Sequence, residues 1–260
     1  MNSAILKYID KLESAAKAYD FAGNSELRIH KKDDRTWFSE AIKDENGIWH
    51  EKYLGAKDSA KIEHLLVKKY CRELLKEISR IRSGKESSAE KLLNITEEYS
   101  TKFRAYVPAD LISLKEKARR WAAAEYSRNP AEHADAARYQ SLKGDMVRSR
   151  AELWIADYLF QNDIPYRYEA AFHLRDGRLI YPDFTIANAF TGEKIYLEYF
   201  GLMDSPEYMS KNLKRINDLA ENGVLLGKNL LAAFESRDVP FHPAAVKRML
   251  TAALQQECER

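Results

Sequence analysis

The sequence predicts an α+β protein in two parts. A helical region with a small β-meander comes first, followed by a mixed-sheet domain with helices on its faces. Three observations lead there. Ile62, Leu65, Leu66, Tyr70, Leu74, Leu75 and Ile78 recur at three- and four-residue spacing, the period of a helix. Residues 179–186 and 194–200 are short apolar-rich runs bounded by turn residues, as strands are. Helical patterns at 149–160, 206–222 and 242–255 interleave with the strand runs, and the resulting order αβββαβα builds a mixed sheet between helices.

The elements follow in chain order. Residues 3–20 read as a helix with Ile5, Leu12 and Ala15–Ala16 on one side, broken by Ala22-Gly23-Asn24. Glu26–His30, Trp37–Ile42 and Ile48–Tyr53 read as three short strands, separated by Lys31-Lys32-Asp33-Asp34 and by the turn at 44–47, with Leu27 and Ile29 on the apolar face of the first. The long helix begins at Asp58 and stops at Ser83-Gly84. Helices are expected at Ala89–Phe103 and Leu111–Tyr126, the latter stopped by Asn129-Pro130. Residues 129–143 carry few apolar side chains and read as part of a link, which divides the chain into 1–128, a linker at 129–146 and a domain at 147–260. In that domain, Ser149–Phe160 is a helix, and Pro165–Leu174 and Leu179–Ile186 are strands about a hairpin turn at Asp176-Gly177. Lys194–Phe200 is the third strand, Pro206–Asn222 a helix ended by Gly223, Asn229–Glu235 a strand and His242–Gln255 the closing helix.

Composition narrows the classes. With 260 residues, 45% hydrophobic and 32% charged, the chain can bury a core. No apolar run approaches the roughly 18 residues of a membrane span, and Met1-Asn2-Ser3 does not open a signal peptide. Cys71 and Cys258 match no ligand spacing and read as reduced thiols of a cytoplasmic protein. The net charge of +2 neither requires nor excludes nucleic acid, although residues 1–146 are slightly basic and 147–260 slightly acidic. The histidines lack ligand spacing, and no Gly-rich phosphate loop, Ser-His-Asp arrangement or CxxC pair is present.

The chemistry concentrates in Tyr181-Pro182-Asp183-Phe184 and Tyr196-Leu197-Glu198-Tyr199-Phe200-Gly201, with Glu152 in the helix before them. Residues two apart share a strand face, so Asp183 and Glu198 can stand side by side on neighbouring strands. Two carboxylates so placed repel unless a cation lies between them, and hard oxygen ligands suit Mg²⁺ or Mn²⁺. Such residues also occur in surface hairpins, but Ile180, Phe184, Ile186, Ile195 and Leu197 mark these as core strands. Glu152 shares a helical stripe with Ser149, Ala156 and Leu159 and points inward. A helix-capping role is its alternative. Tyr168 and Glu169 alternate on the first strand, so one of them faces the site, in a rim role.

These motifs, with Val147-Arg148-Ser149-Arg150-Ala151-Glu152 and Ile164–Glu169, resemble the PD-(D/E)XK (restriction-endonuclease-like) nuclease superfamily. They are most similar to a bacterial branch with a PDF…YxEhFG signature, over about residues 145–236. The resemblance implies an αβββαβ core, metal-dependent phosphodiester hydrolysis with Mg²⁺ or Mn²⁺ held by Glu152, Asp183 and Glu198, and nucleic acid as partner, DNA in preference to RNA. Arg148, Arg150, Lys214 and Arg215 are the expected nucleic-acid contacts, and the helices of the first part are expected to serve a homodimer or a protein partner. One position departs from the pattern. Phe200 stands where the superfamily has a lysine that orients water or offsets phosphate charge. The resemblance moves that cation to the following helix, where Lys211 is the first candidate and Arg215, one turn on, the second. If neither reaches, the domain is a nucleic-acid-binding or assembly module on a nuclease scaffold.

Overall fold

The computed structural model describes residues 3–19, 24–84, 87–99, 101–130 and 139–255. The helix break at Ala22-Gly23, Cys258 and residues 131–138 of the expected linker lie outside the described residues. The chain is mixed α and β with several small sheets, and it divides into two compact units, Ser3–Glu116 and Lys117–Arg260.

The first unit opens with α1 (Ser3–Ala18), followed by an antiparallel meander β1 (Ser25–Lys32), β2 (Arg35–Lys43) and β3 (Trp49–Leu54). Lys32 pairs with Arg35, so the first hairpin turns on two residues, and Asp33 takes the left-handed φ of +51° that such a turn needs. Asp44 closes the second loop by accepting the Asn46 and Ile48 N–H groups. Next comes α2 (Ser59–Arg82), which buries Leu65, Leu66, Tyr70, Leu74 and Ile78 against Ile9, Leu12, Ala16 and Leu27.

The single helix expected at Ala89–Phe103 is instead α3 (Ser87–Asn94), a 3₁₀ turn (Ile95–Glu98) and α4 (Thr101–Arg104). Thr96 accounts for the break, since its buried Oγ1 accepts the Ser113 N–H at 3.0 Å and meets the Tyr70 hydroxyl at 2.9 Å. Tyr70 also donates to the Leu111 carbonyl at 3.0 Å. Tyr70→Phe therefore leaves two buried partners short, and thermal melts should show a loss of about 1–2 kcal/mol. Cys71 lies in the same core, where burial and nearby Asp110 push its thiol up to about 12, so alkylating reagents meet a thiol rather than a thiolate.

α5 (Leu114–Ala123) is shorter than the expected Leu111–Tyr126. Ser113 Oγ accepts the Glu116 N–H at its start, and Arg167 donates to the Trp121 and Ala124 carbonyls at its end. That arginine ties residues 117–128 to the second unit, as do the Arg128–Ala170 bridge and the Tyr126 hydroxyl on the Tyr168 carbonyl. The contact boundary therefore falls at 116/117, ahead of the 128 read from composition.

In the second unit the expected linker carries structure of its own, a hairpin of β4 (Tyr139–Gln140) and β5 (Met146–Val147) closed over buried Asp145. Then come α6 (Arg150–Gln161), β6 (Tyr166–Tyr168), the hairpin β7 (Phe172–His173) and β8 (Leu179–Ile180), β9 (Phe184–Ala187), β10 (Lys194–Phe200), α7 (Pro206–Glu221), β11 (Leu230–Phe234) and α8 (Pro243–Gln255). The two long strands expected at 165–174 and 179–186 are each broken in two. Glu169 leaves the ladder at a left-handed φ of +45°, and Pro182 has no N–H to continue it.

The central sheet has the order β11-β10-β9-β6, with β10 parallel to β11 and β9 antiparallel to both neighbours. Ile155, Ala156 and Leu159 of α6 and Val246 and Leu250 of α8 cover one face through Phe184, Ile186 and Leu197. Leu219 of α7, with Val224 and Tyr196, covers part of the other. Ser149 and Ser205 accept the N–H groups of Glu152 and Tyr208 and so cap α6 and α7, and Gly223 (φ +84°) follows the end of α7. Among the described residues no helix is long and apolar enough to cross a membrane.

Candidate active site

Three buried carboxylates meet where β9, β10 and the start of α6 come together. Lys194, Ile195, Tyr196 and Leu197 pair with Ala187, Ile186, Thr185 and Phe184, and the same register carried one step further sets Glu198 opposite Asp183. The Tyr199 N–H fixes this end of the ladder by donating to Asp183 Oδ2 at 2.7 Å. Asp183 is 6% exposed, Glu198 2% and Glu152 6%. Glu152 Oε2 accepts the Arg148 N–H at 3.0 Å and the Tyr168 hydroxyl at 2.7 Å. The capping alternative and the inward orientation thus hold together for this residue: it braces the entry to α6 while lying close enough to raise the Asp183 carboxyl.

Burial, then Glu198 and Glu152, push the Asp183 carboxyl well above the usual carboxylate range. Burial raises Glu198 as well, against the pull of Arg215. The folded chain therefore keeps protons on this pair to higher pH than the unfolded chain does. Their contribution to stability is complete below the ordinary carboxylate pKa and is lost as pH rises through the raised values. Asp183→Asn removes one of the two charges, so it should raise the melting temperature at pH 8, on the order of 1 kcal/mol. That gain should shrink toward pH 4, and paired melts across pH check it.

Two arginines offset the carboxylates. Arg215 Nε donates to Glu198 Oε1 at 2.8 Å, and its Nη2 donates to the Tyr181 carbonyl. Arg148 pairs with Glu169 and lies 3.8 Å from Asp183 Oδ1. Burial works to discharge both guanidiniums, but the carboxylates beside them outweigh it and hold both above their ordinary value. Tyr208, in the first turn of α7, is exposed and lies within electrostatic reach of the group. Burial and then Asp183 raise its hydroxyl.

The sequence-predicted residues fall in two sets. Glu152, Asp183 and Glu198 come together with Arg148 and Arg215. Lys211, Arg150 and Lys214 are exposed. The cation on Glu198 is Arg215 and not Lys211, because Glu198 lies level with the third turn of α7 rather than the second. Arg148 and Arg215, expected as nucleic-acid contacts, direct their guanidiniums to carboxylates. Tyr168 and Glu169 both reach the group, since the left-handed φ at Glu169 breaks the alternation that would have separated them. Tyr208 carries no sequence mark beyond a helical face shared with Lys211 and Arg215.

Phe200 is buried two residues beyond Glu198 and stacks on Phe234 at 5.4 Å. Among the described residues no three His, Cys, Asp or Glu side chains are grouped so that they could hold an ion. Comparison of the chain with protein-family models, with curated proteins and with solved structures returns no match.

Proposed function

We propose that the second unit is a divalent-metal-dependent nuclease of the PD-(D/E)XK kind. The observation that carries this reading is the register that sets Asp183 opposite Glu198 in a buried sheet end within electrostatic reach of Glu152. The order α6, β6, β9, β10, α7, β11 agrees with the αβββαβ core that the resemblance implies.

The donor chemistry fits a hard cation. All three side chains offer carboxylate oxygens, and the charge of Asp183 is costly without a counter-ion. Asp183 and Glu198 would hold the ion as a pair, with Glu152 outside it adding negative charge nearby. Bound there, a Mg²⁺ or Mn²⁺ ion supplies the positive charge that makes water acidic and offsets charge on the phosphate. Arg215 takes the place of the missing motif lysine. Its Nε fixes Glu198, and its guanidinium puts positive charge beside the phosphate that the carboxylates would face. The Tyr168 hydroxyl fixes the Glu152 carboxylate. Phe200 has no group to orient a nucleophile, so water is oriented by Glu152 or Glu198 acting as hydrogen-bond acceptor.

A second reading is a catalytically silent nucleic-acid-binding module. Arg215 on Glu198 favours it, because the arginine already supplies a counter-charge. Incubation with labelled single- and double-stranded DNA and RNA in Mg²⁺, Mn²⁺ or EDTA separates the two. Cutting in metal and not in EDTA is the result expected. Binding without cutting in every condition would sink the nuclease reading.

A further inference from the structure

We infer that Arg167 and Lys194, held against Trp121, form a phosphate-binding site on the sheet face that carries Asp183 and Glu198. The phosphate is that of a nucleic-acid strand, an assignment that rests on the function proposed above.

Arg167 pairs with Thr185, which pairs in turn with Tyr196, so these three share a face. Lys194 and Glu198 lie on that same face of β10, two residues either side of Tyr196 and about 13 Å apart. The Arg167 guanidinium lies 4.5 Å from the centre of the Trp121 ring, and Lys194 Nζ lies 3.2 Å from it. Two cations thus crowd one indole. Arg128 and Lys143 stand nearby over Tyr126 and Tyr166, and both pair with Asp145, at 2.8 and 3.5 Å.

Among the described residues no carboxylate lies within ion-pair distance of Arg167 or Lys194. Arg167 directs Nε and Nη2 to the Trp121 and Ala124 carbonyls, which leaves Nη1 without an acceptor among the described residues. Lys194 donates to no described group. Burial, and then the Arg167 charge, bring its ammonium down to about 8. The arrangement is the opposite-signed counterpart of the carboxylate pair. Like charges, partly desolvated and side by side, call for a counter-ion. The Nη1 donors of Arg167 beside an ammonium suit the oxygens of a phosphate, and the strand phosphates nearest the carboxylates would lie within that 13 Å reach.

Removing Arg167 would also uncap α5, so the test uses Lys194. Binding of a labelled single-stranded oligonucleotide by the full chain is followed by anisotropy in EDTA over a range of salt. Lys194→Gln should weaken binding about fivefold and make the log K against log salt slope shallower by about 0.7. Lys194→Arg should restore both, with melting temperatures unchanged. Equal affinity and slope for Lys194→Gln and the parent would overturn the inference. In a second arm, acylation of Lys194 is read by mass spectrometry. Protection by the oligonucleotide but not by the same concentration of inorganic phosphate supports a strand site, and equal protection would overturn that assignment. Metal-dependent cutting with Lys194-independent binding removes this site and keeps the nuclease. Lys194-dependent binding without any cutting does the reverse.

Discussion

Asp183→Asn and Glu198→Gln are each expected to lower metal-dependent cleavage by about 10³-fold or more while leaving the fold intact. The magnitude follows from the kind of interaction lost, a preorganised charge in a water-poor site, where one group commonly contributes 10²–10³ in rate. Removing a metal ligand also removes the ion. Asparagine preserves the shape of Asp183 and can still accept the Tyr199 N–H that donates to Oδ2 at 2.7 Å. Glutamine preserves the shape of Glu198 and its bond from Arg215. Loss of activity would therefore report charge and not collapse. Because Asp183→Asn also relieves repulsion within the buried pair, activity and stability should move in opposite directions. A protein that loses both would point to a structural role for the aspartate.

Arg215→Ala is expected to cost about 3–5 kcal/mol, the range for breaking a buried ion pair from one side. In a chain of this size that is a fall in melting temperature of about 10 °C. Glu198 is 2% exposed, and without Arg215 its charge would lose its ion-pair partner. The Tyr181 carbonyl would lose its donor too. Three further results are expected. Arg215→Lys should recover part of the loss, since an ammonium keeps the charge but not the forked contact to Glu198 Oε1 and the Tyr181 carbonyl. Acidification should shrink the deficit as Glu198 takes up a proton. Added Mn²⁺ should raise the melting temperature of Arg215→Ala more than that of the parent, because the ion takes over the role of counter-charge.

Sequence periodicity carried the parts that depend on local rules. The α2 stripe from Leu65 to Ile78 and the limits of β10 follow from apolar spacing, and Ser149 and Ser205 cap helices where such residues precede an apolar period. The pairing of Asp183 with Glu198 was also legible, because strand alternation and Pro182 left few alternatives. What escaped depended on partners distant in sequence. The break at Thr96 arises from Ser113 and Tyr70, and the end of α5 from Arg167. The loss of alternation at Glu169 needs a left-handed backbone at a residue that is not glycine, for which the sequence carries no mark.

The choice between Lys211 and Arg215 was out of reach for a related reason. Both lie on one face of α7, and only the axial position of the helix over β10 decides which meets Glu198. The pairing of Arg148 with Glu169 was also out of reach, because Glu169 takes a backbone conformation that alternation does not foresee. The phosphate site escaped entirely. Trp121, Arg167 and Lys194 come from three separated segments, and no spacing rule joins them.

The central claim is that Asp183 and Glu198 hold a divalent ion. Titration of Mn²⁺ into the full chain, followed by calorimetry or by the paramagnetic signal of free Mn²⁺, tests it without need of a substrate. Saturable binding by the parent, lost in Asp183→Asn and in Glu198→Gln, is the result this account predicts. Mn²⁺ binding that is equal in all three proteins, or missing from the parent, would contradict it and leave Arg148 and Arg215 as the counter-charges of the site.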